Sequence, residues 1–396
     1  MKQILFWGVV CFLFMGNLRV VHSEDNSADM NGSVSAQEEG SAAGNLVGVY
    51  YYPWYGDGAF HGRKYLREFL DPTQRPVLGE YNDRDAEVIQ QHVAWSEYAG
   101  INLWVCSWWG PEDLTDITLR HHVMTNGLIN DIHVALFYET TKLLTDRSRP
   151  GGRWNDVSGV AGHIQHMAKH YFDHPNYFRI DGRPVLFIYL TRGMDPKGIL
   201  PETIAIMREE AKATGFDIYI VGDHVFGRPP STPGNLALMD AVTNYDVYGS
   251  SGGTRVLYAT QEGVDAYYAQ QAEWKALAAD AGVRFIPAVS PGYNDAGVRP
   301  ERRHQPLSRK LSPDDAFGSL FKANLAGALP LTDPEIGDLF MINSWNEWHE
   351  DTQIEPVAPA PATRADVSGT NRYTWGLSYE GYGTRYLDLL RDALNK

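Results

Sequence analysis

Eight short runs rich in β-branched and aromatic residues alternate with longer helical patterns after residue 44, and polar, aromatic-rich clusters follow those runs. Together these observations predict an α/β fold, a (β/α)8 TIM barrel formed by a single domain over 45–396 with enlarged βα loops. The runs fall at 47–52, 102–107, 133–138, 184–189, 218–222, 241–245, 284–289 and 339–343, short enough to read as buried strands. Helical patterns occupy 83–98, 160–172, 201–214, 261–281 and 313–328. The last opens on Ser312-Pro313-Asp314-Asp315, a cap, a first-turn proline and two acids. An open doubly wound sheet is the competing topology, but no Gly-rich phosphate loop follows the first run.

A barrel carries its chemistry at the C-terminal ends of its strands. There the chain offers Tyr52-Pro53-Trp54-Tyr55, then Ser107-Trp108-Trp109-Gly110-Pro111, Glu139, Tyr189 with Arg192, and Asp223 with His224. Tyr245-Asp246 and Ser290-Pro291-Gly292-Tyr293 follow the sixth and seventh runs. Flat tryptophan faces beside carboxylates suit the C–H faces of pyranose sugars.

The eighth run leads into Ser344-Trp345-Asn346-Glu347-Trp348-His349-Glu350-Asp351-Thr352-Gln353-Ile354-Glu355. Glu347 and Glu350 are three apart, so a helical turn there would put both carboxyls on one side, with Cβ atoms roughly 5–6 Å apart. Like charges at that range, walled by Trp345 and Trp348, separate the two pKa values, which is what acid/base cleavage of a glycosidic bond requires. His349, between them, is placed to orient or tune them.

The first residues have a positive end at Lys2 and an apolar run too short to span a membrane. They read as a secretory signal over 1–23, cleaved at Ser23, and 24–44 as a flexible linker too polar to fold. The expectation is a secreted or periplasmic protein with no stable membrane insertion after cleavage. Loss of Lys2 and Arg19 would move the formal charge from −15 to −17, which disfavours nucleic acid as a partner. Cys106 would then be the one cysteine left, so no disulfide closes within the chain.

No Cys/His spacing resembles a zinc site, and neither a serine-hydrolase elbow nor a phosphate loop is present, so no metal and no cofactor is expected. Ser250-Ser251-Gly252-Gly253 reads as a flexible lid or turn.

The closing motif, Trp345-Asn346-Glu347-Trp348-His349-Glu350 through Thr352-Gln353-Ile354-Glu355, resembles the signature of glycoside hydrolase family 99, the endo-α-mannosidases, with Asp351 where that pattern has glycine. Three other blocks resemble the family in the same order. They are Tyr51-Tyr52-Pro53-Trp54-Tyr55-Gly56, then Leu78-Gly79-Glu80-Tyr81 through Arg84-Asp85 with Ser107-Trp108-Trp109, and Phe285-Ile286-Pro287-Ala288-Val289-Ser290-Pro291-Gly292-Tyr293 through Arg299-Pro300. The resemblance implies a metal-free, retaining endo-hydrolase of internal α-mannosidic bonds, with an oligosaccharide or polysaccharide substrate. It implies that Glu347 deprotonates the substrate's own 2-hydroxyl to give a 1,2-anhydro sugar, while Glu350 serves as acid and then base. It also places Tyr52, Trp54, Trp109, Glu139, Tyr189, Tyr245, Asn346 and Trp348 at the sugar. Where the family continues Tyr-Asp-Ser-Tyr, this chain has Tyr189-Leu190-Thr191-Arg192, and Arg192 would suit an anionic glycan. A different, anionic α-glycan and a barrel that binds carbohydrate without turnover are the alternative expectations.

Overall fold

Runs buried on both faces need a hydrogen-bonded neighbour on each edge, and a closed parallel ladder provides one. In the computed structural model β1 (Val47–Tyr51), β2 (Leu103–Trp108) and β3 (His133–Tyr138) pair in parallel in that order. A two-residue strand that the sequence did not suggest, β4 (Arg179–Ile180), turns through Asp181 (φ 51°) and Gly182 (φ 73°) into β5 (Arg183–Ile188). Two successive positive φ values give the tight hairpin its twist. The ladder continues from β3 to β5, to β6 (Tyr219–Asp223), to β7 (Ala241–Thr243) and to β8 (Arg284–Ile286).

The seventh expected run is interrupted at Pro287, which has no N–H to give to a ladder. Its first part, β8, pairs with β7, and its second, β9 (Ala288–Val289), pairs with β10 (Phe340–Ile342). The strand thus changes partner midway, with the Met341 N–H donated to the Pro287 carbonyl at 2.9 Å. β10 then pairs with β1, Val47 against Phe340 and Val49 against Ile342, so all eight expected runs form a nearly closed barrel.

Helices at Ala86–Ala99, Leu200–Ala213, Gln261–Asp280, Ser319–Ala328 and Arg385–Leu394 surround it. The helix expected from 313 begins six residues later, at Ser319. Gly318 precedes it at φ 83°, a left-handed conformation that interrupts helical continuity. Aromatic rings fill the barrel: Tyr50 lies 4.8 Å from Phe137 and 4.9 Å from Tyr245, centroid to centroid, and Tyr189 is 5.3 Å from Phe137. The site rests on this layer.

Outside the barrel, β11 (Val357–Thr363) and β12 (Tyr379–Gly383) form an antiparallel pair. The structure describes residues 45–56, 60, 65–125, 127–129, 131–247, 256–301 and 304–395. The expected signal and linker lie outside these, as does the expected turn at Ser250-Ser251-Gly252-Gly253. No helix among the described residues is long and apolar enough to cross a membrane.

Candidate active site

β10 delivers the chain to the barrel mouth, where 344–355 folds back on itself. The Ser344 N–H is donated to the Thr352 carbonyl at 2.9 Å, and the Glu355 N–H to the Trp345 carbonyl at 2.9 Å. Ser344 Oγ accepts the Glu347 N–H at 2.9 Å. The expected helical turn is instead a pair of i→i+3 turns, with Glu350 N–H on the Glu347 carbonyl (3.3 Å) and Asp351 N–H on the Trp348 carbonyl (3.4 Å). Asp351 closes the turn at φ 49°, the left-handed region that favours glycine.

An aspartate at that position is held by charge. Its carboxylate is buried between Arg67, whose Nε lies 2.6 Å from Oδ1, and Arg309, whose Nε lies 3.2 Å from Oδ2. Arg309 also donates to the carbonyls of Asp351 (2.7 Å) and Gln353 (3.0 Å). Burial alone would raise the Asp351 pKa, but Arg309 and Arg67 hold it below the ordinary carboxylate range.

The two glutamates differ in surroundings. Glu347 is 4% exposed, and its Oε1 accepts the His349 N–H at 2.9 Å and faces His349 Nδ1 at 3.2 Å. Glu350 is more open and meets Arg299 Nη1 at 2.7 Å, a nitrogen that also reaches Asp295 at 3.1 Å. Glu139, at the end of β3, is a third carboxyl in the same mouth. Burial pushes it up to about 8, the charges of Glu347, Glu350 and Asp223 add to the rise, and its hydrogen bond from Ser107 Oγ (2.7 Å) opposes it. At neutral pH it therefore carries a proton.

Tyr52 stands among these groups. Burial raises its pKa first, then Glu347, Glu139 and Glu350, and its hydroxyl pairs with that of Tyr245. Tyr189 is raised by burial and then by Glu139 and Glu350. Trp54 leans on Tyr52 (4.6 Å), Trp109 (6.3 Å) and His349 (5.7 Å), and Trp54, Trp109, Thr115, Lys142 and His349 line a cavity of about 380 Å³. The structure thus brings Glu347, Glu350, Glu139, Tyr52, Trp54, Trp109, Tyr189 and Tyr245 to one end of the barrel. Another cavity, about 530 Å³ and lined by Arg208, Asp240 and Arg284, lies at the N-terminal strand ends, and its Arg208 and Asp240 pair at 2.8 Å.

Two expected sugar contacts turn inward instead. Asn346 is fully buried, with Oδ1 accepting the Tyr52 N–H at 2.7 Å and Nδ2 donating to the Tyr52 carbonyl at 3.1 Å. Trp348 is 1% exposed and gives its Nε1–H to Glu355 at 2.7 Å. Glu355 also accepts from Tyr81 Oη (2.9 Å) and meets His92 Nε2 (3.2 Å), so this carboxylate braces the turn from behind. Arg192, expected to greet an anion, is paired with Asp223 at 2.6 Å and Asp246 at 3.2 Å. Sequence reasoning missed Arg299 and Lys142. Arg299 lies in the block noted for its resemblance, through Arg299-Pro300, but no role was drawn from it.

Comparison with known proteins places the chain among carbohydrate-active families. The family model described as Glycosyl hydrolase family 99 matches residues 64–217, and that described as Glycosyltransferase WbsX matches residues 155–360, which include the turn bearing Glu347 and Glu350. The chain is 25% identical over 346 residues to a glycoprotein endo-alpha-1,2-mannosidase-like protein of Danio rerio, covering 79% of this chain and 71% of that one. It is 24% identical over 382 residues to glycoprotein endo-alpha-1,2-mannosidase of Rattus norvegicus, covering 86% and 76%. The structure of the GH99 endo-alpha-mannosidase from Bacteroides thetaiotaomicron superposes with a TM-score of 0.59 at 22% identity, over 89% of this chain and 97% of that chain, a likeness of fold.

Replacing Asp351 by Asn leaves two buried guanidiniums facing a neutral amide and is expected to cost about 3–5 kcal/mol in chemical denaturation at pH 7. Because the folded-state pKa is depressed, that difference persists above the ordinary aspartate range and disappears as pH falls through the folded value. Glu139 behaves oppositely. Its raised pKa means the unfolded chain loses the proton first, so wild-type stability falls relative to Glu139→Gln as pH rises from about 4.5 to about 8, by at most roughly 1.4 kcal/mol per pH unit. Parallel stability–pH profiles for the two proteins would refute this.

Proposed function

The chain belongs to glycosyl hydrolase family 99 and to the family described as Glycosyltransferase WbsX, and from that premise we propose that it is a retaining, endo-acting α-mannosidase that cleaves internal α-mannosidic bonds. The observation that carries the reading is the meeting of Glu347, Glu350 and Glu139, whose pKa burial raises, at one barrel mouth walled by Tyr52, Trp54 and Trp109. Glu347 takes the proton of the 2-hydroxyl, and that oxygen bonds to the anomeric carbon as the glycosidic bond breaks. Glu350 gives its proton to the departing oxygen. Glu350 then takes a proton from water, whose oxygen attacks the anomeric carbon, and Glu347 returns its proton to the 2-oxygen as the anhydro ring opens. Trp54 and Trp109 stack on sugar rings, Tyr189, Tyr245 and Tyr52 wall the cleaved sugar, and Glu139 donates to a hydroxyl. Asn346 and Trp348 position the turn.

The Arg299 contact favours the charged form of Glu350, so the acid role requires Arg299 to shift toward its other partner, Asp295, when substrate arrives. Pairing of Arg192 within the chain supports a neutral glycan over an anionic one. The signal-like start supports export of the mature enzyme. A second reading follows from the WbsX description: a sugar hydroxyl replaces water in the second step, giving transfer in place of hydrolysis. Product analysis with and without added acceptor sugar separates the two.

Incubation with α-mannan or glucosylated high-mannose oligosaccharides is expected to release fragments, whereas binding without cleavage across a broad α-glycan panel would leave a carbohydrate-binding barrel. Glu350→Gln is expected to lose cleavage of sugars with poor leaving groups by about 10²-fold or more yet retain more activity on an α-glycosyl fluoride, which needs little protonation. Glu347→Gln is expected to lose both, and equal losses for both variants on both substrates would refute the division of roles.

The 2-hydroxyl is a reactant on this route. A substrate with hydrogen in its place on the sugar being cleaved is expected to bind and not turn over. Rapid hydrolysis of that substrate, or a glycosyl ester trapped on Glu347 and seen by mass spectrometry, would instead establish a direct carboxylate nucleophile.

A further inference from the structure

Asp223, the last residue of β6, holds the mouth from the side where β5, β6 and β7 end. Its side chain is fully buried and takes part in three bonds. Oδ2 accepts the Leu190 N–H at 3.0 Å, while Oδ1 accepts the Tyr245 N–H at 3.0 Å and meets Arg192 Nη1 at 2.6 Å. Leu190 directly follows Tyr189, so one carboxylate fixes the backbone at two tyrosines of the mouth.

Each tyrosine is also held by its carbonyl. Thr140 Oγ1 donates to the Tyr189 carbonyl at 2.7 Å, and Asn343 Nδ2 donates to the Tyr245 carbonyl at 2.8 Å. The two rings meet edge to face, 5.2 Å apart at 73°, and the Tyr245 hydroxyl pairs with that of Tyr52. Tyr52 gives its N–H to Asn346, the neighbour of Glu347. A continuous run of contacts therefore leads from Asp223 to the turn that bears the acids.

Two features of this arrangement are unfavourable by themselves. A buried carboxylate whose charge reaches Glu139 is costly without a cation beside it. Leu190 sits at φ 53°, a left-handed conformation that a branched side chain adopts only where other bonds impose it. Arg192 supplies the cation and, with Asp223, holds the segment that begins at Leu190. Its Nη2 reaches Asp246 Oδ2 at 3.2 Å, and its guanidinium lies 4.8 Å from the ring centroid of Phe226. One side chain thus ties together the segments that leave β5, β6 and β7, and it stands where Leu190-Thr191-Arg192 departs from the family pattern.

We propose that Arg192 and Asp223 are a positioning pair for the cleavage step. Neither touches the sugar; together they keep Tyr189 and Tyr245 where the cleaved ring needs them as it distorts toward the transition state. The inference rests on the hydrolase reading for the step it serves, whereas the hold on the two tyrosines stands without it. A wall displaced by about 1 Å is enough to lower a rate about 10²-fold. Lysine at position 192 would keep the charge but lose the fork that reaches two carboxylates.

Arg192→Met, Arg192→Lys and Asp223→Asn separate positioning from stability. In cleavage of an α-mannose oligosaccharide, Arg192→Met is expected to lower kcat about 10- to 100-fold while KM changes by less than about threefold. Arg192→Lys is expected to lie only several-fold below wild type, and Arg192→Met combined with Asp223→Asn to lose little more than Asp223→Asn alone. Hydrogen exchange read by mass spectrometry is expected to quicken in Arg192→Met at the peptides carrying Leu190 and Tyr245, and not in β1 or β2. Wild-type kcat and wild-type exchange in Arg192→Met overturn the pair, as does a loss that lysine does not reduce and that follows the melting temperature of each variant. Should Arg192→Met fail to fold, Arg192→Lys decides: a several-fold loss in kcat at an unchanged melting temperature upholds the pair, and wild-type kcat overturns it. Wild type that cleaves nothing refutes the hydrolase reading, and local exchange in Arg192→Met then upholds or overturns the hold on the tyrosines.

Discussion

One buried carboxylate fixes the turn on which the site is built. Asp351 lies between two arginines that come from distant segments, and each arginine makes further bonds that the turn needs. Arg67 donates to the Glu380 carbonyl at 2.9 Å, and Arg309 holds two carbonyls of the turn itself. Two cations around one anion leave a net positive charge in the interior, and tyrosine faces meet it. Arg309 sits 5.1 Å from the Tyr382 centroid and 4.9 Å from Tyr386, and Arg67 is 5.1 Å from Tyr382. Remove the aspartate and the arginines repel, the turn loses its brace, and Glu347 and Glu350 lose their common frame.

Around that clamp the site is arranged in two layers with different chemistry. Behind the turn, Glu355, His92, Tyr51, Tyr81 and Trp348 form a closed hydrogen-bonded set, with His92 Nδ1 3.0 Å from Tyr51 Oη. In front, Glu347, Glu350 and Glu139 share a mouth with few positive partners. Repulsion among three carboxyls is relieved because one of them, Glu139, stays protonated. The hydrogen bonds of the set behind the turn hold it in place, while the carboxyls in front face the barrel mouth.

Much of this was legible in the sequence, for identifiable reasons. Strands buried on both faces leave continuous apolar runs, so all eight could be located. β11 could not, since Val357–Thr363 carries Pro359 and Pro361 and such a segment reads as a strand only where an edge tolerates missing donors. The helix start at Ser312 failed because a cap signal is local, whereas the left-handed Gly318 is a property of the folded path. Tyr52, Trp54 and Glu139 could be placed at the barrel mouth because strand ends are defined by the runs themselves. Asn346 and Trp348 were misdirected because a turn of unknown pitch does not reveal which side chains face the cavity and which face the core.

The pairing of β1 with β10 joins the first and last strands of the barrel, and Tyr52 and Asn346, 294 positions apart, share two hydrogen bonds across that seam. Closing so long a loop is costly in chain entropy and is repaid only when the last strand docks. A growing polypeptide therefore holds every aromatic wall of the mouth before it holds the acids, and gains both acids in one event late in its synthesis. No fragment that stops short of the eighth strand possesses the turn that carries Glu347 and Glu350.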